Sequence, residues 1–239
     1  MKLLLLLFAG AKFGKIATTS LTMLLSIGVY ATIWGWRFAL GFVLLLFVHE
    51  MGHVIAAYQR GLDVSAPAFI PFMGAFITLK QHPDNVETEA YVAMGGPFLG
   101  TLASLGTYVL ARQEDSDLLL AIAYSGLFLN LFNLLPISPL DGGRITAVLG
   151  PRVWFLGAPL LVAVFLYQPS PMLVVIGIVA IPQLIKAWRY DPRAPENIAY
   201  YGIPRSVKLE YTVMYLGLAA ILGLMVENVH NMLAAVHGG

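Results

Sequence analysis

Residues 47–55 read F-V-H-E-M-G-H-V-I, which places an H-E-x-x-H pattern inside an apolar run. On a helix, side chains four positions apart lie on one face, so His49 and His53 can bind the same metal ion. Glu50 follows the first histidine and can act as general base toward a metal-bound water. The pattern therefore predicts a helix that carries two metal ligands and a catalytic glutamate.

The apolar surroundings make this pattern more specific. Residues 39–55 contain one acidic residue and two histidines in an otherwise apolar run. Ionisable groups at membrane depth are costly, so they indicate a functional site. The alternative is a pair of buried histidines hydrogen-bonded to neighbouring helices. That alternative leaves Glu50 without a reason to be there.

The composition is typical of a protein with several membrane spans. Of the 239 residues, 59% are hydrophobic and 11% are charged, and the mean hydropathy is +0.78. Soluble domains carry about 25% charged residues. The net charge of +1 gives no argument for nucleic-acid binding. Because the chain has no cysteine, disulfides and thiolate zinc sites are excluded, and any zinc ligands must be His, Asp or Glu.

The apolar segments predict an all-α polytopic membrane protein with about six to seven transmembrane helices. The predicted spans are residues 17–34, 38–58, 90–111, 118–135, a fifth that ends near 167 with a possible kink at Pro151, 172–188 and 209–229. Residues 1–15 are predicted to form an interfacial or partly inserted helix. No polar stretch is long enough to build a second core, so residues 1–239 are predicted to form a single transmembrane domain.

One apolar segment does not fit a membrane span. Residues 66–78 are broken by two prolines and a glycine, and a spanning helix needs about 20 residues. We expect a short membrane-associated extended or re-entrant segment, with which a substrate peptide could pair by strand addition. A plain interfacial loop is the alternative.

Lysine and arginine positions predict the orientation in the membrane. If the N-terminus lies in the cytoplasm, only Arg37 and Arg112 of the 14 basic residues fall on the outer side. This distribution follows the positive-inside rule. It places the two histidines of the pattern and Asp141 toward the cytoplasmic half of the membrane.

Asp141 is the best candidate for a third metal ligand. Catalytic zinc sites use three protein ligands and one open position, so two histidines are not enough. Asp141 lies in an apolar region and follows two prolines that keep the local backbone from forming a regular helix. Gly142 and Gly143 come next and allow a close backbone approach. A helix N-cap is the alternative role of this aspartate.

Three motifs together resemble one known family. H-E-M-G-H at 49–53, G-G-P at 95–97 and N-L-L-P-I-S-P-L-D-G-G at 133–143 are similar to those of the site-2 proteases, which are zinc-dependent intramembrane metalloproteases. The resemblance covers a catalytic core at about residues 38–150. The combination is specific, whereas H-E-x-x-H alone is a short pattern with many chance matches.

The resemblance implies the parts of an active site. One Zn²⁺ per chain would be bound by His49, His53 and Asp141, and Glu50 would be the catalytic base. Asn133 would hold the substrate backbone or stabilise the oxyanion, with interhelical hydrogen bonding as its alternative role.

Asn130, one turn before that asparagine, is predicted to be a polar residue that packs helices.

The resemblance also implies partners and a location. The family cuts transmembrane segments, so the implied partners are single-span membrane proteins in the lipid bilayer, such as anti-sigma factors, membrane-bound transcription factors or signal-peptide remnants, and no nucleic acid. We expect no inserted PDZ-like domain and no C-terminal CBS pair. This is similar to the short prokaryotic forms and implies a prokaryotic cell membrane.

The leading prediction is an intramembrane zinc endopeptidase, and two other classes of function are weighed against it. Intramembrane histidines and acids could form the ion path of a metal transporter. Here the polar residues concentrate at one depth, which favours a single catalytic centre. A catalytically inactive homologue that binds membrane proteins is the other class. Glu50 and all three proposed ligands are present, so nothing in the sequence supports a loss of activity.

Overall fold

The computed structural model describes residues 2–72 and 74–237, and it describes the side chains of 17–72 and 74–235. Within these ranges the chain forms nine α-helices and one two-stranded sheet. The helices are α1 (Lys2–Trp34), α2 (Trp36–Gln59), α3 (Val86–Gln113), α4 (Asp117–Asn133), α5 (Asp141–Thr146), α6 (Trp154–Tyr167), α7 (Pro171–Trp188), α8 (Pro195–Tyr201) and α9 (Arg205–His237). The strands are β1 (Ala68–Ile70) and β2 (Gly74–Phe76).

Four segments in the described part of the chain are long and apolar enough to cross a membrane: Ala17–Trp34 in α1, the whole of α2 and of α7, and Arg205–Ala235 in α9. Helices α4 and α6 are apolar but shorter. Helix α3 is long, but its glycine, serine and threonine residues lower its hydropathy. The predicted mostly helical membrane protein is therefore confirmed. The predicted count of six to seven spans is not.

The single fifth span predicted from the sequence is wrong. After α5 the chain makes two short 3-10 turns, Ala147–Leu149 and Pro151–Val153, before α6 begins. Gly150 lies between these turns with φ +103°, a conformation that favours glycine. Pro151 has no N–H to continue a helix across this point. What was expected as a kink is a complete break.

Helices α2, α3 and α4 pack together at the centre, and α2 and α3 touch through their backbones. A Cβ atom on Gly52 would lie 2.1 Å from the carbonyl oxygen of Gly95. A Cβ atom on Gly95 would lie 2.5 Å from the carbonyl oxygen of Gly52. Small residues such as these let two helices approach closely. This contact brings the histidine face of α2 against α3.

The segment between α2 and α3 is extended, as predicted. Strands β1 and β2 form an antiparallel hairpin, and an antiparallel bridge between Val64 and Leu79 continues the pairing. The hairpin lies against α1 and α2. The Phe69 backbone N–H donates to Thr22 Oγ1 on α1, and its ring stacks on Phe47 of α2 with centroids 6.4 Å apart. The hairpin is thus attached to the helix that carries the H-E-x-x-H pattern.

Candidate metal centre

Three side chains of the pattern lie on the buried face of α2. The exposed fractions are 3% for His49, 4% for Glu50 and 5% for His53. One helical turn separates the two imidazoles, and their Nε2 atoms are 3.2 Å apart. The i, i+4 spacing therefore brings two nitrogen donors to one point inside the protein.

Asp141 approaches this point from a different helix. It is the first residue of α5, is 8% exposed, and its Oδ2 atom lies 3.2 Å from His49 Nε2 and 3.3 Å from His53 Nε2. The helix N-cap is Leu140, so the alternative role of Asp141 as N-cap is wrong. A Cβ atom on Gly142 would lie 2.1 Å from the Leu134 carbonyl oxygen, so this glycine permits the close approach that the sequence indicated.

The three donor atoms fit a zinc ion in chemistry and in spacing. They are two imidazole nitrogens and one carboxylate oxygen, and the sides of their triangle measure 3.2, 3.2 and 3.3 Å. Zinc bonds of about 2.0–2.1 Å in a tetrahedron separate neighbouring ligands by about 3.3 Å. Three protein donors also match the number found in catalytic zinc sites. This triangle can therefore hold zinc with little rearrangement.

Glu50 lies beside the donors. One of its carboxylate oxygens and one ring nitrogen of each histidine all lie within 4.8 Å of one another. In the ranges that the structure describes, these three residues are close enough together that they could hold a metal ion. A carboxylate at such a distance can act through a single water molecule.

The other ring nitrogen of each histidine also has a partner. The Nδ1 atom of His53 lies 2.8 Å from the Val92 carbonyl oxygen on α3. A carbonyl only accepts hydrogen bonds, so this Nδ1 carries the proton and Nε2 keeps its lone pair for a metal. The Nδ1 atom of His49 lies 2.9 Å from Oδ1 of Asn130 on α4.

Asn130 lies closer to the site than its predicted role in helix packing implies. The side chain is 1% exposed and contacts a candidate metal ligand. The sequence did hold one signal. An amide in an apolar helix is costly to bury, so it must have hydrogen-bond partners, but the sequence does not say which residues they are.

Asn133 ends α4 and is half-buried. Its predicted role with the substrate stays a prediction.

A polar chain connects Asp141 to the link between α7 and α9. The Nη1 atom of Arg144 is 4.0 Å from Asp141 Oδ1. The Nε atom of the same arginine is 3.3 Å from Glu89 Oε1. The Tyr200 hydroxyl of α8 donates to Glu89 Oε2. Burial, and then the charge of Glu89, raise the pKa of the Tyr200 hydroxyl, so it remains a donor at neutral pH. The two Asp141 oxygens thus face different partners.

Gly96→Ala is expected to damage the site through one methyl group. A Cβ atom there would lie 2.2 Å from His53 Nε2 and 2.4 Å from Cε1, so the ring must move. Displacing a catalytic group by about 1 Å can reduce the rate about a hundredfold. Zinc binding should fall in Gly96→Ala, and with it any reaction that depends on the metal. Gly106→Ala on the same helix meets no atom within 4 Å and should change neither. Equal zinc affinity in the two variants would contradict the site geometry.

Comparisons with known proteins agree with this site. Residues 37–115 match the model of Peptidase family M50. The putative zinc metalloprotease sll0528 of Synechocystis is 29% identical over 119 residues, which cover 46% of this chain and 31% of the relative. The zinc metalloprotease MJ0392 of Methanocaldococcus jannaschii is 28% identical over 138 residues, 55% of this chain and 40% of the relative. The chain thus spans less than half the length of these curated relatives.

Among solved structures, the site-2 protease from Methanocaldococcus jannaschii matches with a TM-score of 0.46 and 19% identity. The match covers 70% of this chain and 85% of that chain. A likeness at this level carries no argument on its own.

The family match and the names of the relatives confirm the resemblance to the site-2 proteases. The four long apolar helices support an integral membrane protein. The matched residues 37–115 contain His49, Glu50 and His53 but end before Asp141. The case for Asp141 therefore rests on its contacts with the two imidazoles.

Proposed function

We propose that this protein is an intramembrane zinc endopeptidase that cleaves transmembrane segments of single-span membrane proteins. The observation that carries the proposal is the buried triangle of donor atoms from His49, His53 and Asp141, with Glu50 beside it. Helix α2, which holds three of these residues, is long and apolar enough to cross a membrane. A hydrolytic site at this depth fits substrates that are themselves in the bilayer.

Each side chain has a separate task in the proposed reaction. His49, His53 and Asp141 hold the zinc ion, which supplies Lewis-acid activation of water and of the scissile carbonyl when bound. Glu50 accepts the proton of the attacking water and passes it to the leaving amine. Asn133 donates to the developing oxyanion, a role worth about 3 kcal/mol where such donors have been removed in other proteases.

The hairpin is proposed to hold the substrate in an extended form. In the described residues β2 pairs with β1 alone, so its outer edge has no strand partner. An unpaired edge accepts an extended peptide by strand addition. Stacking of Phe69 on Phe47 connects the hairpin to α2. A substrate helix shields its own carbonyls with hydrogen bonds, so it must unwind locally before it can pair and be cut.

Water is proposed to enter beside this hairpin. A cavity of about 300 Å³ is lined by residues 77–83 together with Glu89, Val92 and Arg144. The Val92 carbonyl oxygen contacts His53, and Arg144 lies next to Asp141. The cavity thus borders two residues that contact the donor side chains, which supports the proposed entry of water from this side.

The proposal also includes the number of membrane spans and the orientation of the protein in the membrane. We expect six to seven transmembrane helices in a single domain over residues 1–239, with the catalytic core at about 38–150. The basic residues favour a site in the cytoplasmic half of a prokaryotic cell membrane. Candidate substrates for regulated intramembrane proteolysis are anti-sigma factors, membrane-bound transcription factors and signal-peptide remnants.

A matched pair of substrates tests the proposal. The full chain is co-expressed with tagged single-span proteins that differ only in two residues of the span, glycine in one and leucine in the other. Glycine weakens a helix by about 1 kcal/mol per residue, so two glycines weaken it by about 2 kcal/mol and the glycine span should be cut roughly thirtyfold faster. The measurement is the ratio of fragment to precursor, with Glu50→Gln as the inactive control.

Two results of that experiment would contradict the proposal. Equal cleavage of the two spans would contradict local unwinding of the substrate. If no precursor in a broad panel is cut, while zinc flux across the membrane depends on the protein, the metal transporter becomes the better reading.

A further inference from the structure

We propose that Asn130 is a positioning residue that fixes the tautomer and the ring orientation of His49 for zinc, an inference that rests on the proposed zinc site. The side chain of Asn130 lies between α4, its own helix, and the histidine on α2. Both ends of its amide have defined partners: Nδ2 is 2.7 Å from the Gly126 carbonyl oxygen, and Oδ1 is 2.9 Å from His49 Nδ1.

The partner at Gly126 determines which way the amide points. A backbone carbonyl accepts but cannot donate, so only the amide nitrogen of Asn130 can face it favourably. The amide oxygen must then face His49, and an amide oxygen only accepts. The proton of the imidazole is therefore on Nδ1, and Nε2 keeps its lone pair. That Nε2 atom is one corner of the donor triangle, 3.2 Å from Asp141 Oδ2.

The neighbouring helix leaves space for this amide. A Cβ atom on Gly100 of α3 would lie 2.4 Å from Asn130 Oδ1 and 2.9 Å from Nδ2. Any side chain at position 100 would therefore push the amide away from His49. Burying an amide in an apolar helix is costly unless its polar atoms are paired. Here the donor and the acceptor are both paired, so the amide holds one orientation.

The two histidines differ in how they are held. The outer partner of His53 is the Val92 backbone carbonyl, which no side-chain substitution removes. The outer partner of His49 is a side chain, so its contribution can be measured by mutation. Loss of such a partner typically weakens metal binding about 10–100-fold. The inference therefore makes a quantitative prediction about zinc affinity that does not depend on any substrate.

The test measures zinc affinity of the purified full chain by competition with a chelator. Asn130→Leu should bind zinc about 10–100-fold more weakly than wild type. Asn130→Asp keeps the acceptor for His49 but sets a carboxylate oxygen against the Gly126 carbonyl, so its zinc affinity should lie between that of wild type and that of Asn130→Leu. Ser125→Ala is the matched control, because it removes a hydrogen bond to the Ala121 carbonyl on the same helix. It should leave zinc affinity unchanged.

These variants separate positioning from simple packing. If Asn130→Leu binds zinc as tightly as Ser125→Ala, or if Asn130→Asp loses as much affinity as Asn130→Leu, the inference is overturned. Should Asn130→Leu fail to fold, Gly100→Ala displaces the same amide with a single methyl group and must weaken zinc binding as well. Wild-type protein that takes up no zinc would overturn the proposed function, and this inference with it. Tight wild-type binding with an unaffected Asn130→Leu overturns the inference alone.

Discussion

Replacing Glu50 with glutamine should abolish cleavage while leaving zinc in place. Glutamine has nearly the same shape as glutamate but cannot accept the proton of an attacking water. The loss of a general base costs roughly 10²–10⁴-fold in rate. The three donor atoms belong to other residues, so the zinc content should not change. Cleavage of a tagged single-span substrate and the zinc-to-protein ratio are measured on the same preparation.

The Glu50→Gln experiment needs a control variant at a position far from the proposed base. Glu114→Gln makes the same replacement of a carboxylate by an amide, at an exposed position at the C-terminal end of α3. This variant should keep full activity. Cleavage by Glu50→Gln at the wild-type rate would show that another group acts as the base. In a metal transporter, the same substitution would change zinc flux with no proteolysis to lose.

Replacing Asp141 with asparagine should release zinc and abolish cleavage. Asp141 is the donor that comes from outside α2, and its carboxylate supplies the negative charge that balances the cation. A neutral amide in its place leaves two imidazoles to hold a divalent ion in apolar surroundings, where an uncompensated charge is costly. Cleavage should fall at least as far as in Glu50→Gln, roughly a thousandfold, because the base has no activated water to act on.

The zinc-to-protein ratio distinguishes this variant from Glu50→Gln. It should be near one in wild type and Glu50→Gln and near zero in Asp141→Asn. Asp84→Asn, an exposed change in the loop before α3, is the control and should retain the metal. Full zinc occupancy and full activity in Asp141→Asn would show that Asp141 is not a zinc ligand.

The local parts of the site could be predicted from the sequence. The helical period fixes the separation of His49 and His53 whatever the rest of the fold, so their shared face follows from spacing alone. The two prolines and the glycine in residues 66–78 excluded a spanning helix, and the structure has a hairpin there. Asp141 is predicted as the third ligand from its apolar surroundings and its glycine neighbours, and the structure shows the close approach that these glycines allow.

The contacts between helices could not be predicted in the same way. Which carbonyl or amide faces an imidazole depends on the rotation and depth of α3 and α4, so neither Val92 nor Asn130 could be paired with its histidine from the sequence. The contact between Tyr200 and Glu89 joins residues 111 positions apart. The break at Gly150 depends on a positive φ, which the sequence indicated only as a kink at the following proline.

The most direct test of the zinc site is X-ray absorption at the zinc edge of the purified full chain. We predict one zinc per chain with nitrogen and oxygen ligands, two of them imidazoles, and no bound zinc in Asp141→Ala. A protein that takes up no zinc at stoichiometric supply would contradict the account. A spectrum with three imidazoles would contradict it equally, because a histidine from elsewhere would then occupy the place assigned to Asp141.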